Sequence, residues 1–240
     1  MFKLTTCVVA MALFAGHAAA AAQQTGSDVS VTETRQILHR YGACVVKRQQ
    51  ARASEAILAD VDNGVLLKKY GRLIDGSCLP AQPGRTVKVR FQGDQYRYAL
   101  ADSLVAREFA GQPAPVLDAV PRLDHREPGD PPSRLSAKGK ALSERAYQDE
   151  LRGYELAKAN AYLSRFGECV VRNDPAAARA LLLTAPTSAE EASRFDAMRT
   201  ALGTCLPENE TLNFGKLALR GTVALNYYRL AHAVSPAERG

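Results

Sequence analysis

The chain has 240 residues, 46% of them apolar and 23% charged, with no Trp and a formal net charge of +6. That is enough apolar material to bury a core without help from cross-links. The basic residues are spread through both halves with no basic tract, which argues against a dedicated nucleic-acid face.

The first predicted element is a secretory signal over residues 1–22. Lys3 supplies its positive charge, "LTTCVVAMALFA" is an apolar run of twelve, and the following alanine tract offers cleavage after Ala20 or Ala22. The run is too short to span a bilayer as a resident helix, so no stable membrane insertion is expected after its removal. Cys7 has almost no apolar segment ahead of it, which argues against a lipoprotein signal. Losing residues 1–22 leaves a net charge of +5 and four cysteines. An even cysteine count in an exported chain points to disulfides and to a periplasmic or secreted location.

The mature length exceeds the usual size of one domain, and its content is written twice. "ILHRYGACVVKR" (Ile37 to Arg48) set over "YLSRFGECVVRN" (Tyr162 to Asn173) gives six identities in twelve. The matches continue through Ala53/Ala178 and Ile57/Leu182 to "GSCLP" (Gly76 to Pro80) over "GTCLP" (Gly203 to Pro207). They then run on to Phe91/Phe214, Arg97/Arg220 and Ala101/Ala224. Residues 23–110 and 136–240 are therefore read as two homologous helical modules of about four helices each, and the fold class as all-α.

In the first module, Ile37, Tyr41, Cys44 and Val45 fall at i, i+4, i+7 and i+8, the apolar stripe of a helix. A short second helix follows. "VDNGVLLKKYGRLIDG" predicts a third, stopped by Gly76, and a piece ending "VKVRF" leads to a last helix over "DQYRYALADSLVAREFA". Residues 111–135 contain most of a run with six prolines ending at Ser136, and read as an exposed, semi-rigid linker.

From Ser136 a long helical pattern runs into the second module, with Gly153 as its one candidate break. Asp174 as N-cap and Pro175 at the first helical position open the next helix, "AAARALLL". Ser188 and Glu191 have capping-box spacing at the start of "TSAEEASRFDAMRTALG", which Gly203 should close. "TLNF" then leads to the last helix, "KLALRGTVALNYYRLA".

Four cysteines allow three pairings, and the repeat selects one. Each module holds one Cys on its first helix and one before Leu-Pro, which gives Cys44 with Cys78 and Cys169 with Cys205. Neither a Cys-x-x-Cys redox pair nor zinc-ligand spacing occurs, so the cysteines read as structural.

Familiar catalytic signatures are missing, and no catalytic residue, metal ligand or cofactor is assigned. "LDHREPGD" gathers Asp124, His125, Arg126, Glu127 and Asp130, but in a linker where nothing rigid would hold them. His39 faces Ser164 in the match and His232 faces no His, so both read as surface or satisfied residues. Arg40/Arg165 and Arg97/Arg220 are the arginines present in both modules. The second pair lies among apolar residues with no recurring carboxylate to meet it. Backbone carbonyls at a helix C-terminus or near Cys-Leu-Pro are its expected partners, with an anion pocket in each module as the functional alternative.

On "YGxCVV", "CLP" and "LRG" the chain resembles a group of uncharacterised exported proteins of sphingomonad-type alphaproteobacteria. That resemblance covers both modules and not the linker, and it implies no activity. It departs at "RYAL" in the first module, where the second has "RGTV". The function expected from the sequence is a non-enzymatic periplasmic or secreted helical protein that binds an unidentified protein or envelope component. The alternative is an enzyme with a dispersed site between the modules or in one of them.

Overall fold

A computed structural model describes residues 30–79, 91, 94–207 and 214–234. The segment expected to be a signal sequence and nearly all of the pieces leading to Phe91 and Phe214 lie outside them.

Ser30 opens α1 (Val31–Leu58), its Oγ accepting the Glu33 N–H at 3.1 Å. At Gln49 the backbone leaves helical geometry (φ −140°, ψ 41°) and the helix kinks. This is the position matched to Asp174, where the second half divides into α4 (Glu144–Asn173) and α5 (Pro175–Leu182). Asp174 Oδ1 accepts the Ala177 N–H at 2.8 Å, and Pro175 lacks the donor that would continue α4. Without a proline, the first half kinks where the second breaks.

Asp62 caps α2 (Asn63–Lys69), its Oδ1 accepting from Val65 N–H at 2.9 Å. The single helix expected there is instead this short one followed by two 3₁₀ turns, Gly71–Leu73 and Gly76–Cys78. Gly71, just past the end of α2, would cost roughly 1 kcal/mol in a helix interior, and Asp75 turns the chain by accepting from the Ser77 N–H. Its counterpart is also divided, into α6 (Ala189–Ala197) and α7 (Arg199–Thr204). The last helices are α3 (Gln95–Glu108) and α8 (Lys216–Ala233). The helix expected from Ser136 starts only at Glu144, because Gly139, at φ +71°, makes a turn that brings Leu135 beside Ala141. Gly153 does not interrupt α4.

Within each half the first and last helices pack closely, α1 on α3 and α4 on α8, and α3 also packs on α8. One continuous hydrophobic core runs through both halves. The close approaches are set by glycine. A Cβ at Gly42 would strike the Ala99 carbonyl and the Ser103 hydroxyl. One at Gly167 would strike Thr222 and Asn226, the residues matched to those two. The anchoring aromatics also correspond: Phe91 lies 5.7 Å from Tyr41, and Phe214 lies 5.7 Å from Phe166, ring centroid to ring centroid.

Where α3 meets α8, residues matched in sequence face each other. A Cβ at Gly221 would overlap the Tyr98 ring, and three turns on, the Phe109 and His232 rings are 5.7 Å apart. Because both contacts keep the same chain order, the two helices run parallel. Disulfides Cys44–Cys78 and Cys169–Cys205 close one loop in each half, with Cα–Cα distances of 5.6 and 5.8 Å. No helix among the described residues is long and apolar enough to cross a membrane.

The proline-rich segment is exposed along most of its length, as expected of a linker, but it is also tied to the core. Leu117 and Val120 are buried in the core. Prolines leave a chain without a regular partner for its carbonyls, and arginines of the second half supply one. Arg172 donates to the carbonyls of Leu117, Val120 and Pro121, Arg179 to Phe109 and Ala110, and Arg229 to Asp124.

Candidate functional site

The two buried arginines marked by the repeat have different surroundings. All three guanidinium nitrogens of Arg220 donate. They reach the carbonyls of Leu181, Leu182 and Thr184 at the end of α5, as expected of a helix C-terminus. They also reach Asp102 Oδ1 at 3.0 Å and Glu191 Oε1 at 3.2 Å, two carboxylates that do not recur. Glu191 accepts from Arg35 as well, and its second oxygen takes the Thr187 N–H at 2.8 Å. The capping box is therefore half formed: Ser188 Oγ accepts the Glu191 N–H, while the Glu191 carboxylate is turned toward the two arginines. His39 Nδ1 lies 3.1 Å from Asp102 Oδ2, so this histidine is satisfied, as expected. Two arginines meet two carboxylates, and the group is balanced. Arg35, Asp102 and Arg220 border a space of about 30 Å³, room for little more than one water.

Arg97 is 0% exposed and meets no carbonyl of this kind. It donates to Asp94 Oδ2 at 3.0 Å and to Asp60, which sits just past α1 in left-handed backbone (φ +46°). Arg126 shares the same Asp94 oxygen at 2.6 Å, and Arg229 lies at ion-pair distance from Asp60, 3.3 Å. Burial pushes the Arg229 guanidinium down; Asp60 opposes this, and Arg97 and Arg126 add to it. Arg40 is exposed, and Arg165, also exposed, pairs with Glu127. The four repeat-marked arginines are not brought to one place.

The histidine expected in a solvated linker is held firmly. His125 has a side chain only 8% exposed; its Nε2 lies 2.6 Å from Glu168 Oε2 and its Nδ1 2.8 Å from Ser164 Oγ. Burial alone would push the Glu168 carboxyl up. Hydrogen bonds from Arg172, the Leu123 N–H and His125 outweigh it and hold Glu168 below the usual carboxylate range. An ionised Glu168 accepts from a proton on Nε2, and a neutral imidazole would then offer Nδ1 as the acceptor for the Ser164 hydroxyl. Serine, imidazole and carboxylate thus stand in relay order.

Ser164 and Arg126 both line a groove of about 650 Å³ between α4, the start of α2 and the proline-rich crossing segment, which runs from one half to the other. Leu156, Ala157 and Ala161 give it an apolar side, and Asp94, Arg126 and Glu127 a charged one. It lies at the junction of the halves, not within either. At the far end of α8, His232 Nε2 and Tyr228 Oη converge on Glu108 Oε2 at 3.1 and 3.0 Å, so His232 is also satisfied. No group of three metal-ligating side chains occurs among the described residues. Comparison with protein-family models, with curated proteins and with solved structures finds no match.

Proposed function

We propose that this chain is an exported, non-enzymatic helical protein, periplasmic or secreted, in which two duplicated halves support a groove that takes a segment of a partner protein or envelope component. The observation that carries this reading is the groove along α4. No residue from 144 to 160 is buried, and on this stretch Gly153, Leu156, Ala157 and Asn160 line the groove, on a helix whose residues from Ala161 onward pack into the core. Two disulfides fit an oxidising compartment and hold the halves that form the groove walls. A photo-crosslinking residue at Leu156 tests it. One defined adduct is expected in the exported compartment, lost when Ala157→Arg fills the groove. No adduct, or one indifferent to Ala157→Arg, overturns it.

The Ser164–His125–Glu168 relay favours a second reading, an acyl-transfer hydrolase. In it Ser164 Oγ attacks an ester or amide carbonyl while its proton passes to His125 Nδ1. The leaving group takes that proton, and water then cleaves the acyl-serine. A fluorophosphonate probe separates the readings. Labelling at Ser164 that disappears in His125→Ala supports the hydrolase, and an unlabelled, folded protein excludes it.

A further inference from the structure

We propose that the groove recognises a carboxylate group on its ligand, held at Arg126 over the buried cationic surplus of Arg97 and Arg229. The inference rests on the groove being the binding site. Three guanidinium groups meet two carboxylates, Asp60 and Asp94, in this cluster, which leaves one positive charge unmatched. Three buried donors of the same residues, Arg97 Nε, Arg126 Nε and Arg229 Nη1, make no hydrogen bond, although Arg126 Nε and Arg229 Nη1 lie 3.7 and 3.3 Å from Asp60 oxygens. A buried cation without a counter-charge and an unmet N–H are both costly, and a bound ligand is one way to complete the set.

The matched arginine provides the internal contrast. Around Arg220 the charges balance and every guanidinium nitrogen donates, so nothing is left for a ligand. Of these two arginine clusters, the one with the surplus is the one that reaches the groove, through Arg126. Arg126 is 34% exposed on the groove wall and shares Asp94 Oδ2 with Arg97 behind it. Of the other acids facing the groove, Glu127 pairs with Arg165, and Asp62 has one oxygen on the Val65 N–H at the α2 cap and keeps its charge. Behind the cluster, Glu168 is matched by Arg172.

A surplus of one charge and flat guanidinium donors suit a carboxylate, which is planar and carries a single charge. The apolar side formed by Leu156, Ala157 and Ala161 suits a hydrocarbon portion attached to it. Hexanoate is therefore the probe and hexan-1-ol its uncharged control.

Calorimetric titration should show saturable hexanoate binding in constant ionic strength, at least about tenfold tighter than hexan-1-ol, and roughly tenfold weaker in Arg126→Gln. Hexanoate bound no more tightly than the alcohol overturns the proposal, as does unchanged binding in a folded Arg126→Gln protein. A second measurement does not depend on the variant folding. In the wild type, arginine Nε–Hε resonances should shift with hexanoate and not with chloride, and a chloride-like response overturns the proposal. Loss of the Leu156 adduct with hexanoate binding retained would discard the partner reading alone.

Discussion

Tyr98 fills the space that Gly221 leaves, and the two are matched to each other in sequence. Two parallel helices related by such a match place like residues face to face, and two large side chains cannot occupy one position. The departure of "RYAL" from "RGTV" is thus a packing requirement of the α3–α8 contact. Gly221→Ala should destabilise the protein by about 1–3 kcal/mol, although alanine is the better helix former. In a Tyr98→Ala background the penalty should vanish, which a double-mutant cycle by urea denaturation measures. Additive losses would show that the two residues do not compete for this space. Gly153, with nothing near its missing Cβ, is the contrast: Gly153→Ala should gain up to about 1 kcal/mol.

The disulfides close loops of 34 and 36 residues, for which chain entropy gives about 3–4 kcal/mol each. Replacing Cys169 and Cys205 together by serine should lower stability by that order. The rest of the chain should still fold, because the core around each pair is continuous with the shared core. Denaturation of the double variant checks the magnitude. A drop below about 1 kcal/mol would mean that packing already fixes α7 against α4.

Much of the architecture could be read directly from the residues. The cysteine on the apolar stripe, the Asp174–Pro175 break and the two anchoring phenylalanines are local signals, and each acts through backbone geometry or a nearby contact. The carbonyls that receive Arg220 were legible as a helix C-terminus, but the carboxylate partners of the buried arginines were not. A search for a recurring carboxylate misses Asp60, Asp94, Asp102 and Glu191, because each half solves the same burial problem with different acids at different places. His125 was misread for a related reason. Proline composition describes what a segment cannot do by itself, and says nothing of arginines elsewhere that receive its carbonyls.

Glu168 gives the crossing segment a pH dependence with a definite sign. Its carboxyl is held below its ordinary value in the folded protein, so in acid the unfolded chain takes up the proton first. The stabilisation is complete above the ordinary carboxylate range and is lost as pH falls through the lower folded value. Urea denaturation at pH 7 and at successive steps below about 4 should show this loss, and Glu168→Gln should flatten it. An unchanged acid slope in that variant would assign the dependence to other carboxylates.

Arg220→Lys separates a structural arginine from an anion site. The guanidinium serves three carbonyls and two carboxylates through three nitrogens spread over a plane. A lysine ammonium has one nitrogen and three protons, so it cannot span the end of α5, Asp102 and Glu191 together. At least two buried acceptors lose their donor, while Arg35 is left as the guanidinium partner of Glu191. A loss of about 3–5 kcal/mol is expected, the scale for breaking a buried ion pair. Phosphate or acetate should not restore it, because the balanced group around Arg220 has no surplus charge to offer. Thermal unfolding with and without these anions decides the point. Recovery by either anion would place a ligand site at Arg220, and the contrast with the Arg97 cluster would then fall.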